Sequence, residues 1–243
     1  MDIQPFIRKL DHGADLTDAD RGQLSKAVQH TAVFKAGDDV SSQGEVPRNV
    51  HVVMAGWACR YKILDDGSRQ IMAIFLPGDM CDLHVQILKK MDHGIGVLTD
   101  AEVAQIRPST INTLTDNPRI NLALSWATLA DQGTLREWLV NVGQRPANAR
   151  LAHLFCELYV RLNAVGLADN GVFDVPLTQT QLADVVGMTP VHVNRTLAVL
   201  RKARFIETNA RRVRICDFAK LADFGGFEPS YLHLSGTKPG ATV

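Results

Sequence analysis

The sequence predicts an α+β protein in which a small all-β unit precedes a long helix and a helix-turn-helix. Short apolar segments alternate with turn residues between about residues 31 and 115, a helical pattern of about 26 residues follows, and two short capped helical patterns then precede a run of arginines. At 243 residues and 46% hydrophobic composition, the chain has room for one large domain or two modest ones. We expect a β unit with an N-terminal helical lead over residues 1–115, a long helix over 116–143, and a helix-turn-helix domain with a C-terminal tail over 144–243.

The β unit is predicted from segments such as "NVHVVMAGWACRYKIL" and "IMAIFLPGD". Between "CRYKIL" and "RQIMAIF" lies the pair Asp66-Gly67, which is typical of a β-hairpin because glycine accepts a positive φ. The segment "GVLTDAEVAQIRPS" is expected to extend the same unit. A small barrel or roll is the architecture that these strands favour.

The long helix is predicted to follow a capping residue at Thr115-Asp116, with Pro118 in its first turn and Gly143 at its end. Its apolar residues do not fit one stripe, so the helix must be covered on two sides. A second copy across a two-fold axis is the most economical cover, and a helix buried inside a monomer is the alternative. The apolar residues are Ile120, Leu122, Leu124, Trp126, Leu129, Leu135, Trp138, Leu139 and Val142.

After Gly143, "RPANARLAHLFCELYVRLNAV" has the pattern of another amphipathic helix, and "GVFDVPL" that of a short strand. Thr178 and Gln181 then form a capping box, so a helix is predicted to begin at Gln179 and to end at Gly187. Three of its side chains are expected to point inward. They are Leu182, Val185 and Val186.

Thr189 and Pro190 predict a second helix, with Thr189 as N-cap, and a three-residue turn between two short helices is typical of a helix-turn-helix. At 100° per residue, one face of this helix is expected to be buried and to carry Val193, Leu197 and Leu200. The opposite face, with its flanks, would be exposed to the major groove of DNA. It carries Val191, His192, Asn194, Arg195, Ala198 and Lys202.

Each exposed side chain then has an expected role. Arg195 can bond to O6 and N7 of guanine, Asn194 to adenine or a phosphate, and Val191 can contact a thymine methyl, with His192 on the flank of the same base-contacting face. A second set is expected to contact the phosphate backbone, which positions the protein without specifying sequence. That set is Thr178, Gln179, Thr180, Thr189, Lys202, Arg211, Arg212 and Arg214.

Beyond the helix, "FIETNARRVRICD" is expected to form a hairpin that turns at Asn209-Ala210 and lies along the DNA backbone as a wing. Although the net charge of the chain is zero, seven basic residues from Arg195 to Arg214 face only one acid, Glu207. A local surface of this kind attracts polyanions. Solvated surface charge is the alternative, but the caps, the turn glycine and the basic wing together favour double-stranded DNA as the partner.

The chain resembles the Crp/Fnr superfamily of bacterial transcription regulators, and most of all its FixK-like branch. The segment "FKAGDDVSSQGE" is similar to the entry of the family's cyclic-nucleotide-binding-like β-roll, "FLPGDM" to its central turn, and "LTQTQLADVVGMTPVHVNRTL" to its DNA-binding signature. The resemblance implies a winged helix-turn-helix, a homodimer on a near-palindromic promoter site, and RNA polymerase as a further partner. Arg195 matches the family's guanine-contacting arginine, whereas Val191 stands where a glutamate is usual.

The resemblance also implies what the sensor lacks. Cyclic-nucleotide binders of the family carry a Gly-Glu pair and an arginine cassette, but this chain has Asp82-Leu83 near the first and no arginine at the second. Lys89 or Lys90 would be a poor substitute for a bidentate guanidinium. The family's iron-sulfur sensors use N-terminal cysteines, and the first thirty residues contain none. We therefore expect no cofactor, with cyclic nucleotide, haem or thiol redox control as the alternative.

The remaining signals are weaker. The four cysteines are far apart, which favours reduced, buried thiols, although Cys216 beside the basic wing is a redox candidate if nearby positive charge lowers its pKa. Cys81, His84 and His93 suggest a metal or enzymatic site only faintly, so no metal and no enzyme activity are expected. The apolar runs are too short for a membrane span and the N-terminus has no apolar signal region, so a cytoplasmic protein is expected.

Overall fold

The computed structural model describes residues 2–83, 87 and 89–234. The chain divides into two compact units, Met1–Gln132 and Gly133–Val243. Among the described residues no helix has the length and apolar character needed to cross a membrane.

The helices are α1 (Gln4–Asp11), α2 (Asp18–Ala27), α3 (Pro108–Thr115), α4 (Pro118–Gly143), α5 (Ala147–Ala164), α6 (Gln179–Val186), α7 (Pro190–Lys202) and α8 (Phe218–Gly225). A short 3-10 helix follows at Pro229–Leu232. The strands of the first unit are β1 (Thr31–Phe34), β2 (Asp39–Ser41), β3 (Val50–Ala55), β4 (Ala58–Ile63), β5 (Arg69–Phe75), β6 (Met80–Cys81), β7 (Gly94–Val97) and β8 (Ala101–Ile106). The strands of the second unit are β9 (Val172–Asp174), β10 (Ile206–Asn209) and β11 (Arg212–Ile215).

The first unit is a β-roll made of two four-stranded sheets, in the orders β1-β8-β3-β6 and β2-β7-β4-β5. Every strand pairing in them is antiparallel. The predicted hairpin is confirmed: Ile63 of β4 pairs with Arg69 of β5, and Gly67 in the turn has φ +82°. Side chains from both sheets form the core with helical residues such as Phe6 and Leu10, which accounts for the N-terminal helical lead.

The end of the β unit differs from the sequence prediction. Residues 108–115 form α3 and not a strand, because Pro108 suits a first helical turn while Ile111 and Leu114 pack into the core. Asp116 is the C-cap of α3 and does not introduce the long helix. The side-chain oxygen of Asn117 takes that role and accepts a hydrogen bond from the Arg119 backbone N–H at 3.1 Å.

The long helix α4 has the predicted length of 26 residues. Within the first unit, Ile120, Ala123 and Leu124 of α4 belong to the hydrophobic core. Within the second unit, Trp138 is buried. Five large apolar side chains of α4 are nevertheless exposed to solvent in the single chain. They are Leu122, Leu129, Leu135, Leu139 and Val140.

The second unit is built around α5, which is buried along most of its length and is therefore less amphipathic than predicted. Its Glu157 is 0% exposed, and three donors satisfy the carboxylate: Trp138 Nε1 at 2.9 Å, the Tyr231 hydroxyl at 2.8 Å and Arg161 Nη1 at 2.9 Å. A buried carboxylate with that many donors is compensated for its lost hydration.

The C-terminal segment packs on this cluster. Phe227 and Leu232 are buried, and Tyr231 brings its backbone carbonyl against the middle of α4. A Cβ at Gly133 would lie 2.7 Å from the Tyr231 carbonyl oxygen, so this helical position has no room for a side chain. Leu232 is part of the core of the second unit.

Candidate nucleic-acid interface

The first helix of the predicted helix-turn-helix, α6, is fixed at both ends. The Thr178 hydroxyl oxygen accepts from the Gln181 backbone N–H at 3.1 Å, while the Gln181 side chain accepts from the Thr178 backbone N–H at 2.8 Å. Gly187 ends the helix in the left-handed conformation, with φ +63° and ψ +48°. The capping box and the turn glycine are both confirmed.

Arg150 of α5 also holds this turn, a role that no sequence pattern predicts. Its Nη1 donates to the carbonyls of Val186 at 3.2 Å and Gly187 at 3.4 Å. The last carbonyls of a helix have no partner in the helix itself, so a guanidinium there stabilises both the carbonyls and the negative end of the helix dipole. Arg150 therefore positions the turn from the domain interior.

The second helix, α7, begins as predicted, with the Thr189 hydroxyl oxygen accepting from the His192 backbone N–H at 3.2 Å and Pro190 in the first turn. The buried face carries Val193, Thr196 and Leu200. Leu197 was expected in place of Thr196, but its side chain is only partly buried. The spacing of the buried residues thus follows i, i+3, i+7, one residue away from the predicted set.

All four predicted base-contacting residues, Val191, His192, Asn194 and Arg195, are exposed on one stretch of α7. Val191 is 62% exposed, which is unusual for a large aliphatic side chain. Within the described part of the chain Arg195 has no ion-pair partner, so its guanidinium is available to an external acceptor. The geometry of the exposed face suits insertion into a major groove.

The predicted phosphate-contacting residues of α6 and the turn are also accessible. Thr178, Gln179, Thr180 and Thr189 are exposed. In Thr178 and Thr189 the hydroxyl oxygen already accepts a backbone N–H, which leaves the hydroxyl hydrogen to donate to an acceptor such as a phosphate oxygen. Lys202, at the end of α7, is exposed as well.

The wing is the hairpin of β10 and β11, and β9 pairs with its second strand. Asn209 pairs with Arg212, so the turn residues are Ala210 and Arg211 and not Asn209 and Ala210. The shift follows from Asn209 keeping its place in the strand, while Ala210 takes the positive φ of +51°. Arg211 consequently lies exposed at the tip.

Two wing arginines have carboxylate partners that partly offset the basic charge. Arg212 Nε lies 3.1 Å from Asp174 Oδ1 on β9, and Arg214 Nη1 lies 3.7 Å from Glu207 Oε2 on β10. All four side chains are exposed, so the pairs are weak and can be exchanged for phosphate oxygens. Asp174 lies outside the basic run, and only the sheet brings it to Arg212.

Cys216 does not have the lowered pKa that the sequence suggested. Its thiol is exposed, but desolvation and the negative charge of Glu207 raise its pKa, and these effects outweigh Arg214. The other cysteines, Cys59, Cys81 and Cys156, are buried, and burial raises the pKa of Cys81 and Cys156.

The region of the β-roll around the loop after β6 contains several charged side chains. At the loop after β6 the chain presents the carboxylate of Asp82, which would repel a phosphate, and Lys89 and Lys90 are exposed. The buried guanidinium in this region, that of Arg60, lies 2.6 Å from Asp82 and 3.1 Å from Asp131. In the described part of this region, the buried guanidinium is thus already paired with two carboxylates.

No group of three or more His, Cys, Asp or Glu side chains that could hold a metal ion occurs in the part of the chain that the structure describes. Of the faint metal candidates, His84 lies outside the described residues. Cys81 is buried, and the His93 ring is hydrogen-bonded to Asp82 and Asp92.

Comparison with known families identifies both halves of the chain. Residues 149–224 match the Crp-like helix-turn-helix domain, and residues 31–117 match the cyclic nucleotide-binding domain. The first match contains α6, α7 and the wing, and the second contains the eight strands of the roll.

Individual relatives agree with these matches. The chain is 26% identical to the transcriptional activator protein FnrL of Cereibacter sphaeroides over 204 aligned residues, and the alignment covers 82% of each chain. It is 24% identical over 201 residues to the nitrogen fixation regulation protein FixK of Azorhizobium caulinodans, covering 82% of this chain and 80% of that one. The structure of FixK2 from Bradyrhizobium japonicum has the same fold, with a TM-score of 0.72 and 22% identity over 80% of this chain and 96% of that chain.

Proposed function

The chain belongs to the Crp/Fnr family of DNA-binding transcription regulators, a family of proteins that are not enzymes, and from this premise we propose its mode of action. It binds a near-palindromic promoter site as a homodimer, with one α7 in each half-site, and it needs no diffusible effector. The bacterial cytoplasm, where promoters and RNA polymerase are found, is its proposed location, and RNA polymerase is its proposed protein partner.

The observation that carries this proposal is the exposed face of α7. Arg195 and Asn194 present donors and acceptors suited to base edges, and their helix is fixed by caps at Thr189 and, across the turn, by Arg150. A recognition helix needs such rigidity because base contacts specify sequence only when their geometry is fixed. The wing then supplies phosphate contacts from Arg211, Arg212 and Arg214.

The homodimer is supported by the apolar residues that α4 leaves exposed. Leu122 and Leu129 are one heptad apart, and at 100° per residue Val140 lies on the same side of the helix, so the three form an apolar stripe. Leu122 is 58% exposed, Leu129 59% and Val140 46%, which is unfavourable for a helix that stays in water. We propose that this stripe is the dimer seam.

Effector independence is supported by the side chains that fill the roll. Asp82 occupies the loop in which the family's nucleotide binders place a Gly-Glu pair, and the Arg60 guanidinium is already held by carboxylates. A cyclic phosphate would have to displace these pairs and would meet a carboxylate in their place. The DNA-binding form is thus proposed to exist in the ligand-free protein.

The test is a selection of random duplexes by the purified, ligand-free protein at fixed salt, with Arg195→Ala as the matched control. We expect enrichment of a two-fold symmetric motif with half-site centres about 10 bp apart, or a multiple of that distance, and loss of the motif with the variant. Enrichment only after addition of a cyclic nucleotide, haem or an oxidant would overturn effector independence. An asymmetric motif would overturn the dimer.

A further inference from the structure

A network of charged side chains lies inside the β-roll and reaches α4. Arg60, on β4, is 7% exposed, and its Nη2 donates to Asp82 Oδ1 at 2.6 Å and to Asp131 Oδ2 at 3.1 Å. Its guanidinium carbon also lies 5.1 Å from the centre of the Phe75 ring. One cation therefore joins the loop after β6 to the long helix.

The network continues from Asp82 toward the surface. Asp82 Oδ2 lies 2.9 Å from His93 Nε2, His93 Nδ1 lies 2.7 Å from Asp92 Oδ1, and Lys62 Nζ lies 3.7 Å from Asp92. Burial alone would lower the pKa of His93, but the hydrogen bonds and charge of Asp82 together with Asp92 raise it. When His93 is protonated, it balances the three carboxylates together with Arg60 and Lys62.

Asp82 has a φ of +56°, in the left-handed region, which aspartate adopts more readily than most residues with a side chain. Its two carboxylate oxygens are held by Arg60 Nη2 and His93 Nε2. Burial would raise the pKa of Asp82, but His93 and Arg60 lower it, so the carboxylate stays charged. The roll thus contains a fixed anion that orients Arg60.

Asp131 is the member of the network on α4, and its side chain is 36% exposed. Of the three carboxylates Asp82, Asp92 and Asp131, only Asp131 lies on a helix. That helix, α4, continues beyond the roll as far as Gly143. Breaking the Arg60–Asp131 contact would leave a buried guanidinium with one partner fewer, while Arg60 Nε already lacks one.

We propose that Arg60 is a built-in substitute for an effector: anchored to the roll by Asp82, it binds Asp131 and thereby holds α4 in the DNA-binding conformation. A diffusible ligand stabilises one conformation by binding it better than the others. A tethered side chain does the same without any dependence on ligand concentration. The inference rests on the proposed function and assigns the residues that make the ligand unnecessary.

The test compares Asp131→Asn with wild-type, full-length protein. We measure amide hydrogen exchange along the chain, and affinity for the duplex obtained by selection from random sequences, at fixed salt and pH. Asparagine keeps the shape of Asp131 but removes its charge, and its partial exposure makes a folding failure improbable. Asp131→Glu is the conservative variant, and Asp65→Asn, at an exposed turn, is the matched control for loss of one carboxylate.

We expect amides of α4 near residue 131 to exchange about tenfold faster in Asp131→Asn, and DNA affinity to fall about tenfold, within the usual range of coupling between sites. Amides of β4 and β5 should keep their protection, Asp131→Glu should recover most of the loss, and Asp65→Asn should match the wild type. Added cyclic nucleotide should not restore the affinity of Asp131→Asn.

Three results would overturn the proposal. Unchanged exchange in α4 would show that Asp131 does not hold the helix. Equal loss of protection in β4 and β5 would make the network a general stabiliser of the roll. Faster exchange in α4 with unchanged DNA affinity would show that the contact that holds α4 does not contribute to DNA binding. If the wild-type protein selects no DNA, the proposed function fails, and the exchange experiment still decides whether the tether exists.

Discussion

The hydroxyl of Tyr231 donates a hydrogen bond of 2.8 Å to Oε2 of the buried Glu157. The same carboxylate accepts from the indole of Trp138, so the C-terminal segment and α4 are joined through one side chain of α5. Burial and the charge of Glu157 raise the pKa of Tyr231, which keeps the phenol protonated and able to donate. Through these contacts Glu157 links the C-terminal segment, α4 and α5 within the second unit.

Tyr231→Phe removes one donor from Glu157 and leaves the ring in place. Because a hydrogen bond to a buried charge contributes about 1.5–3 kcal/mol, we expect the free energy of unfolding to fall by about that amount. Urea denaturation followed by far-UV circular dichroism measures it. Tyr159→Phe, which removes a hydroxyl at 3.3 Å from the Gly171 backbone N–H, is the matched control and should cost less. An equal cost in both variants would contradict the special role of Glu157.

Arg195→Ala should reduce affinity for the selected duplex by about 1–3 kcal/mol per half-site and relax the preference at one guanine, because a bidentate arginine–guanine contact is lost. Competition binding against single-base variants of the site measures both effects. Arg201→Ala is the control, since Arg201 Nη1 bonds to Thr208 within the domain. A uniform loss over all bases would show that Arg195 contacts the backbone.

Arg212→Ala should weaken binding to all sequences alike and reduce the slope of log affinity against log salt concentration by about one unit, as expected for one lost phosphate contact. Asp174→Asn should strengthen binding to all sequences alike and increase that slope. It removes the carboxylate that lies 3.1 Å from Arg212 and so frees the guanidinium for phosphate. Fluorescence anisotropy over a series of salt concentrations measures both. Weaker binding by Asp174→Asn would show that the pair positions the wing.

Leu129→Asp should convert the dimer into a monomer at micromolar concentration, since it would place a carboxylate at the centre of the proposed seam on α4. Sedimentation velocity measures the mass directly. Leu167→Asp introduces the same charge at another exposed leucine and should leave the dimer intact. A dimeric Leu129→Asp protein would show that the seam lies on another face of the helix.

The buried side chain of His51 is expected to make the protein less stable in acid. Burial lowers its pKa to about 4, against a small opposing effect of Asp82, whereas in the unfolded chain it is near 6.5. Between these values the unfolded state binds the extra proton, so stability falls as pH decreases from 6.5 toward 4. At pH 4.5 we expect a loss of about 2–3 kcal/mol from this residue.

The measurement is urea unfolding of wild type and His51→Gln at pH 7.5 and 4.5. The acid-induced loss should be smaller in His51→Gln by about 2–3 kcal/mol, because the variant has no group to protonate at that position. His30→Gln, at an exposed position, is the control and should leave the difference unchanged. Identical pH dependence in wild type and His51→Gln would contradict the assignment.

The helix-turn-helix could be predicted from sequence because its signals are local. Thr178, Gly187 and Thr189 act on backbone groups within four residues of themselves, so their effect does not depend on the rest of the fold. The same local rules fail at residues 108–115, which are expected from the sequence to belong to the β unit, whereas in the structure Pro108 begins α3. There the decision depended on core contacts of Ile111 and Leu114, which the sequence does not show.

Long-range partners could not be predicted. Arg60 and Asp131 are 71 positions apart, and Arg150 meets the turn carbonyls across 36 positions. Such pairs have no spacing rule because the fold, and not the local chain, brings them together. The exchange of Leu197 for Thr196 on the buried face of α7 has a smaller cause. At 100° per residue the two positions lie on either side of the line through Val193 and Leu200, so the helical period alone does not decide which of them is buried.

The glycine in the middle of α4, Gly133, has a consequence for the evolution of such chains. Gly133 is closed to any side chain by the Tyr231 carbonyl, although an exposed helical glycine would be readily replaced by alanine. A lineage that loses the C-terminal segment is therefore released from this constraint, and one that keeps it is not. In each descendant sequence, glycine at position 133 should therefore accompany a C-terminal segment that still packs on the helix, and a larger residue should accompany its loss.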